Sequence, residues 1–466
     1  MKKFLFWAST LMLATTLTFS CGDDDPVENP GGGNPEQPID PVTPDKPLTP
    51  AEQKVKMEEV AMDLMDRMPA SDFKELTDFA EYASDTYADY DWDEVDSWAE
   101  SALEAATKAT GNEYTETEEE YGWVYNYIYT EYKALLMASN FTGKFTAANG
   151  RWVRSDAKDL QFAFKDKAGA ECVLKLETSG AVKKVHLGCV DDWTDYEYVS
   201  DKNVGNDYYD RTEYTIGVPE KIVVTLTKGA AQMVKTTVNM DLASISGEEF
   251  DIAKSAVNAT TLVELNNGYR FEASEVAYKG NSKASGTVRM VKGNETLLTL
   301  SVAGDLSGIP SCNVSAFSRD NFDCDFDNMN AKNALVKIDV MGKMQIQGVV
   351  SDVSKFADYL EMADENDENE GNFKSYISQA NSQMQLFLFY DNKTEKQAQV
   401  VLESFVDENY YGEKYWTAEP VIRFFDGTSY STFSAFFNEK DFKGVIDSFK
   451  RLAERYAELV DEEIDW

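Results

Sequence analysis

Histidine is almost absent from this chain: His186 is the one copy in 466 residues. A hydrolytic triad needs an imidazole base and a histidine-rich metal centre needs several imidazoles, so either chemistry has to run through that one side chain. Basic residues are scarce as well. Against 83 Asp and Glu stand 44 Lys and Arg, a formal charge of −39, and such a chain repels nucleic acid, whose binders carry the opposite footprint. No glycine-rich phosphate loop follows a strand-like run, and there is no Gly-x-Ser-x-Gly nucleophile elbow. Beyond the first twenty residues no stretch reaches the 18 consecutive apolar positions of a membrane-spanning helix. Proline is nearly confined to one place, with seven of its twelve copies between Gly22 and Leu48.

The first residues have the three parts of a secretory signal peptide over 1–20: Lys2 and Lys3, an apolar stretch from Phe4 through Leu17, and small Ser20 before Cys21. Leu17-Thr18-Phe19-Ser20-Cys21 resembles the lipobox of bacterial lipoproteins, with Leu four residues before the cysteine where the family usually has it three before. Cys21-Gly22-Asp23-Asp24-Asp25 is similar to the acidic export motif of the Bacteroidota surface-exposed type. The resemblance implies lipidation, palmitate included, at Cys21, an export role for Asp23, Asp24 and Asp25, and an outer-membrane location facing the cell exterior. It covers residues 1–25 alone. Behind it, the prolines, the Gly31-Gly32-Gly33 run and the shortage of apolar side chains make 21–48 read as a lipidated cysteine on a disordered stalk. Proline keeps such a segment extended, with a reach of roughly 80 Å.

From Thr49 to Asn140 the apolar spacing is helical. Thr49-Pro50-Ala51-Glu52 is a capping box with proline at the first helical position. Met57, Val60, Leu64 and Met68 begin one stripe, Phe73, Leu76, Ala80 and Tyr87 a second, and Val95, Trp98, Ala102 and Ala106 a third. Tyr121, Val124, Tyr125, Ile128, Tyr132 and Leu135 suggest a fourth, after Thr115. Four such helices predict a bundle over 49–140. The period then changes to two, in runs such as "DLQFAF", "KIVVTLT", "MVKTTVNM" and "TLLTLSV", which predict an antiparallel β domain over 141–350. Residues 351–466 mix both periods and read as an α/β region packed on that domain. The expected fold class is α+β, an N-terminal helical bundle followed by a large, mainly antiparallel β region with C-terminal hairpin-helix elements.

Four cysteines follow Cys21, an even number for an exported protein. In "ECVLKLETSGAVKKVHLGCV" the Gly180-Ala181 pair suits a type II′ hairpin turn, with glycine first. That register sets Leu176 against Val185, Leu174 against Leu187 and Cys172 against Cys189, at a non-hydrogen-bonded position where Cα atoms are ~4.5 Å apart and a disulfide fits. It also puts His186 on the outer face beside Lys175. Cys312 and Cys324 form the second expected bridge.

Two sets of side chains point to ligands. Asp89, Asp91, Asp93 and Glu100 in "DYDWDEVDSWAE" fall at calcium-ligand spacing resembling an EF-hand loop, though Glu94 stands where its glycine belongs. The same acids also suit the start of a helix, and no cofactor beyond calcium is implied. Acid-rich segments carry exposed aromatic clusters, Trp193, Tyr196, Tyr208 and Tyr209 in one and Tyr410, Tyr411 and Trp416 in the other. Rings beside carboxylates suit sugar binding, and Tyr and Trp also anchor protein interfaces. With no catalytic residue set, the leading reading is a surface-tethered, non-catalytic binding or accessory protein for a glycan or an outer-membrane protein partner. The alternatives are a structural subunit of a surface assembly and a carboxylate-dependent glycan hydrolase.

Overall fold

The computed structural model describes residues 42–199, 203–241, 256–279, 282–308, 330–391, 394–408 and 414–425. Cys21, Asp23, Asp24, Asp25, Cys312, Cys324, Tyr410 and Tyr411 lie outside the described residues. Strand takes 61% of the described residues and helix 23%, so the chain is mostly β. The expected α+β architecture with a helical bundle over 49–140 is not formed.

Three of its four helices exist: α1 (Pro50–Arg67), α2 (Lys74–Tyr87) and α3 (Asp93–Ala106). The capping box at α1 is made, with Glu52 N–H donating to Thr49 Oγ1 at 3.3 Å and Thr49 N–H to Glu52 Oε2 at 2.8 Å. In place of the fourth helix, β1 (Thr107–Glu120) and β2 (Trp123–Met137) form an antiparallel hairpin. Tyr121 and Gly122 turn it at φ 50° and 83°, the left-handed pair of a type I′ turn. The misreading has a physical cause. "WVYNYIYTEY" is so dense in aromatic and β-branched residues that both periods can be drawn through it, and the β preference of Tyr, Trp, Ile, Val and Thr decides.

The chain divides into two units, of which the first is built on Ala83–Ala259. It contains β3 (Gly143–Ala148), β4 (Arg151–Ser155), β5 (Leu160–Lys165), β6 (Glu171–Val199), β7 (Val204–Lys228) and β8 (Ala231–Asp241) besides the hairpin. β7 organises it. Its first half pairs in parallel with β2, its second half pairs antiparallel with β8, and β6 runs antiparallel along it from end to end. β5 pairs with the start of β6 and lies parallel to β3, which pairs with β4. The core of this unit is aromatic. Trp98 on α3 meets Phe145 edge-on at 5.0 Å, Trp92 lies 5.1 Å from Trp152, and Tyr87 lies 5.3 Å from Phe164. The Tyr87 hydroxyl donates to the Lys165 carbonyl at 2.7 Å and accepts its N–H at 2.9 Å.

β6 corrects a second expectation. It passes through Gly180-Ala181 without reversing, and the irregularity there is a bulge between Ser179 and Val182. Gly180 keeps the positive φ, 85°, that a hairpin turn would have used, because a bulge and a tight turn ask the same freedom of glycine. Cys172 and Cys189 therefore sit on one strand, about 55 Å apart along it, and both are free thiols. The cross-strand argument for their disulfide falls with the hairpin.

The second unit takes residues 42–82, 260–308 and 330–425 of the described chain. β9 (Ala256–Leu265) pairs with β10 (Tyr269–Lys279), and from β10 on the strands pair antiparallel in sequence: β11 (Lys283–Lys292), β12 (Glu295–Gly308), β13 (Asn330–Val340), β14 (Met344–Asp352), then β15 (Met384–Tyr390), β16 (Ala398–Glu408) and β17 (Lys414–Phe424). Between β14 and β15 the chain makes α4 (Val353–Asp364) and α5 (Glu370–Gln383). Met57 of α1 packs with Leu388, Tyr390, Ala398, Ile422 and Phe424, while Phe373 and Ile377 of α5 pack with Ala363. Residues 42–48, the end of the stretch read as stalk, are attached here. Val42 N–H donates to the Thr394 carbonyl, and the Val42 carbonyl accepts from Lys396 N–H, both at 3.0 Å. Among the described residues no helix is long and apolar enough to cross a membrane.

Candidate functional site

Along β1, β2, β7 and β6 side chains alternate between two faces, and the register gathers aromatics on one of them. Tyr114 is opposite Tyr129, Tyr129 opposite Tyr209, and Tyr209 opposite Trp193, one row from four strands. The inner rings stack, Tyr114 on Tyr129 at 4.9 Å and Tyr129 on Tyr209 at 5.3 Å. The next row reads Glu116, Tyr127, Asp207 and Tyr196, and the one beyond it Glu118, Tyr125, Gly205 and Tyr198. Trp123 stacks on Tyr198 at 5.6 Å. A Cβ at Gly205 would lie 3.1 Å from the Tyr196 hydroxyl and 3.3 Å from its Cε2, so the glycine is what lets the Tyr196 ring lean across β7.

Exposure changes along the row. Tyr129 is buried, whereas Trp193 is 60% exposed, with Tyr196 at 48%, Tyr198 at 43% and Trp123 at 39%. The face is therefore closed where Tyr114, Tyr129 and Tyr209 stack and open at Trp193, Tyr196, Tyr198 and Trp123. Trp193 is held by its indole N–H, which donates to Asp207 Oδ1 at 3.2 Å. Two positions from Tyr209 on the same face, Arg211 donates to Asp191 through Nε and Nη2 and also bonds the Tyr114 hydroxyl. Asp191 raises the guanidinium's pKa further above its ordinary value, fixing a cation against the rings. Burial pushes the phenols of Tyr114, Tyr129 and Tyr209 upward, so these rings stay neutral.

The opposite face is polar. Thr117 Oγ1 donates to Asn126, Asn126 Nδ2 to Asn206 and Asn206 Nδ2 to Glu197, at 2.9, 2.9 and 3.1 Å. The Tyr208 hydroxyl donates to the same Glu197 at 3.3 Å. Of the expected ligand residues, Trp193, Tyr196 and Tyr209 share the aromatic face, and Tyr208 lies on the polar one. Trp416 belongs to the second unit, in the packing around α5, with Lys374 Nζ 4.3 Å from its ring centroid. Trp123, Tyr127, Tyr129 and Tyr198 join that face without a sequence signal of their own, three of them because helical spacing can be drawn through β2.

The calcium loop is not wrapped. Asp91 Oδ1 accepts Asp93 N–H at 2.9 Å, and α3 begins at Asp93, which carries Glu100 two turns into the helix. Asp89, Asp91, Asp93 and Glu100 do not converge on a common point. Among the described residues one set of three metal-ligating side chains does, His186, Cys189 and Glu213, whose ligand atoms lie within 4.8 Å of one another. Read on the outer face of a hairpin, His186 gave no hint of it. Compared with known proteins, the chain matches no family model, no curated protein and no solved structure, so what the site does rests on its own residues.

Proposed function

We propose that this is a surface-tethered, non-catalytic carbohydrate-binding protein, anchored through Cys21 in the outer membrane, with the open end of the aromatic face as its binding surface. The observation that carries the reading is the exposure of Trp193, Tyr196 and Tyr198 together, on a face where Tyr114, Tyr129 and Tyr209 are stacked on one another. Contiguous exposed aromatic surface is uncommon on a protein without a partner. Ring faces carry a negative quadrupole that attracts the C–H groups of a pyranose, and carboxylates accept its hydroxyl protons. Glu116, Glu118 and Asp207 border these rings, so the charge favours a neutral or amino-bearing glycan over an acidic one.

Affinity electrophoresis of the full chain in detergent, through gels containing neutral polysaccharides, tests the reading. Trp193→Ala and Tyr196→Ala should each abolish retardation by a polysaccharide that slows the native chain, while Trp416→Ala should leave it. Equal retardation of all forms, or release of shorter sugars from the gel polymer, contradicts it. Surface labelling of intact cells checks the address, with Cys21→Ala expected to release the protein from the membrane.

A further inference from the structure

The aromatic face continues along β7 past Arg211 to Glu213 and Thr215, opposite Cys189 and His186 on β6. In a regular strand, residues three apart point to opposite faces. Here the register slips between His186 and Gly188, leaving Leu187 without a partner. That bulge re-aims His186 to the side that Cys189 and Glu213 share.

We propose that His186, Cys189 and Glu213 form a binding site for a zinc-class divalent cation. Three observations carry this together. The ligand atoms of the three side chains lie within 4.8 Å of one another. The set offers one imidazole nitrogen, one thiolate sulfur and one carboxylate oxygen, which suits a borderline-soft ion and poorly suits calcium or magnesium. The Nε2 atom of His186 is buried with no hydrogen-bond partner, an orphan that native interiors rarely tolerate and that a cation would satisfy. Tetrahedral coordination at the usual bond lengths puts neighbouring ligand atoms about 3.5 Å apart, so side-chain rotations on the order of an ångström close the cluster.

Lys133 Nζ pairs with Glu213 Oε2 at 2.9 Å. A carboxylate has a second oxygen to give, and an outer cation of this kind orients a ligand as well as competing with the metal. On binding, the Cys189 S–H bond breaks, Sγ bonds the cation and the proton leaves to solvent. Three protein ligands leave a fourth position for water. The site is independent of whatever the exposed rings bind.

The test uses the full chain in detergent, stripped of metal by a chelator and kept reduced. Cobalt(II) should produce a thiolate-to-metal absorption band at one equivalent, and Zn²⁺ should displace it. The band should vanish in Cys189→Ser and persist in Cys172→Ala, and His186→Gln and Glu213→Gln should each weaken apparent affinity at least ~10-fold. Because a variant can fail to fold, the native chain supplies a second readout. Zn²⁺ should slow alkylation of Cys189, mapped by peptide mass spectrometry, at least ~10-fold relative to Cys172. A band that survives Cys189→Ser, no band in the native chain, or equal alkylation of Cys189 with and without Zn²⁺ overturns the proposal.

Discussion

Arg211 holds Asp191 across the β6–β7 pairing by two hydrogen bonds, Nε to Oδ1 at 2.6 Å and Nη2 to Oδ2 at 2.5 Å. The same guanidinium lies 4.4 Å from the centroid of the Tyr129 ring. One side chain thus couples the open edge of the aromatic face to its stacked interior. Lysine keeps the charge but loses the fork and the flat stacking surface. Arg211→Lys should therefore cost about 1–2 kcal/mol, read as a lower urea midpoint. An unchanged midpoint would mean the pair is no more than a solvated surface contact.

The hairpin turn offers a gain. Tyr121 is 94% exposed and sits at φ 50° before Gly122 at 83°. Nothing holds that tyrosine in the left-handed region, where it is strained and asparagine is at ease. Tyr121→Asn should stabilise the β1–β2 hairpin by about 1 kcal/mol, seen as slower amide exchange across the Glu120–Trp123 pairing. Faster exchange would show that the turn is not of this type.

These two sites also mark what the sequence makes legible. Caps and alternation read correctly: the Thr49 box, and strands at "DLQFAF", "KIVVTLT" and "TLLTLSV", lie where the spacing places them. Reversals do not. Tyr121-Gly122 turns the chain without a familiar turn pair, and Gly180-Ala181, which has one, does not turn it. A glycine at positive φ serves a turn or a bulge equally, and the tertiary partner chooses. For Gly180 that partner is β7, where Ala181 N–H donates to Glu220 Oε2 at 3.0 Å. The same ambiguity hid the candidate site. The partnership of Trp193 with Tyr209, Tyr129 and Tyr114 depends on a parallel β2–β7 pairing, which local periodicity does not encode.

Acid should weaken the first unit through Asp166. Its Oδ2 meets Lys228 Nζ at 3.0 Å, and its Oδ1 accepts the N–H groups of Ala168 and Ala170 at 2.9 and 2.8 Å. Lys228, followed by the Ala170 N–H, holds this carboxyl below the usual carboxylate range. A depressed folded value means the contribution is complete above the unfolded value of about 3.9 and is lost as pH falls through the folded one. Asp166→Asn should lower the melting temperature at neutral pH and flatten its decline as pH falls through that window. Parallel curves for the two proteins would remove Asp166 from the acid limb.

The last prediction concerns the segment that leads into α1. Gln53, on α1, is fully buried, and its Nε2 donates to the Leu48 and Gln397 carbonyls at 3.0 and 2.9 Å. Gln397 answers by accepting Leu48 N–H through Oε1 at 2.9 Å. Two glutamines thus clasp the residue just before the capping box. Gln53→Leu keeps the bulk but leaves two carbonyls without their donor, at a cost of about 1–3 kcal/mol each. Exchange of the Val42 and Leu48 amides should rise in the variant, because both bond on this side of the second unit. Unchanged exchange at both amides would mean that the backbone bonds of Val42 to Thr394 and Lys396 hold this segment without Gln53.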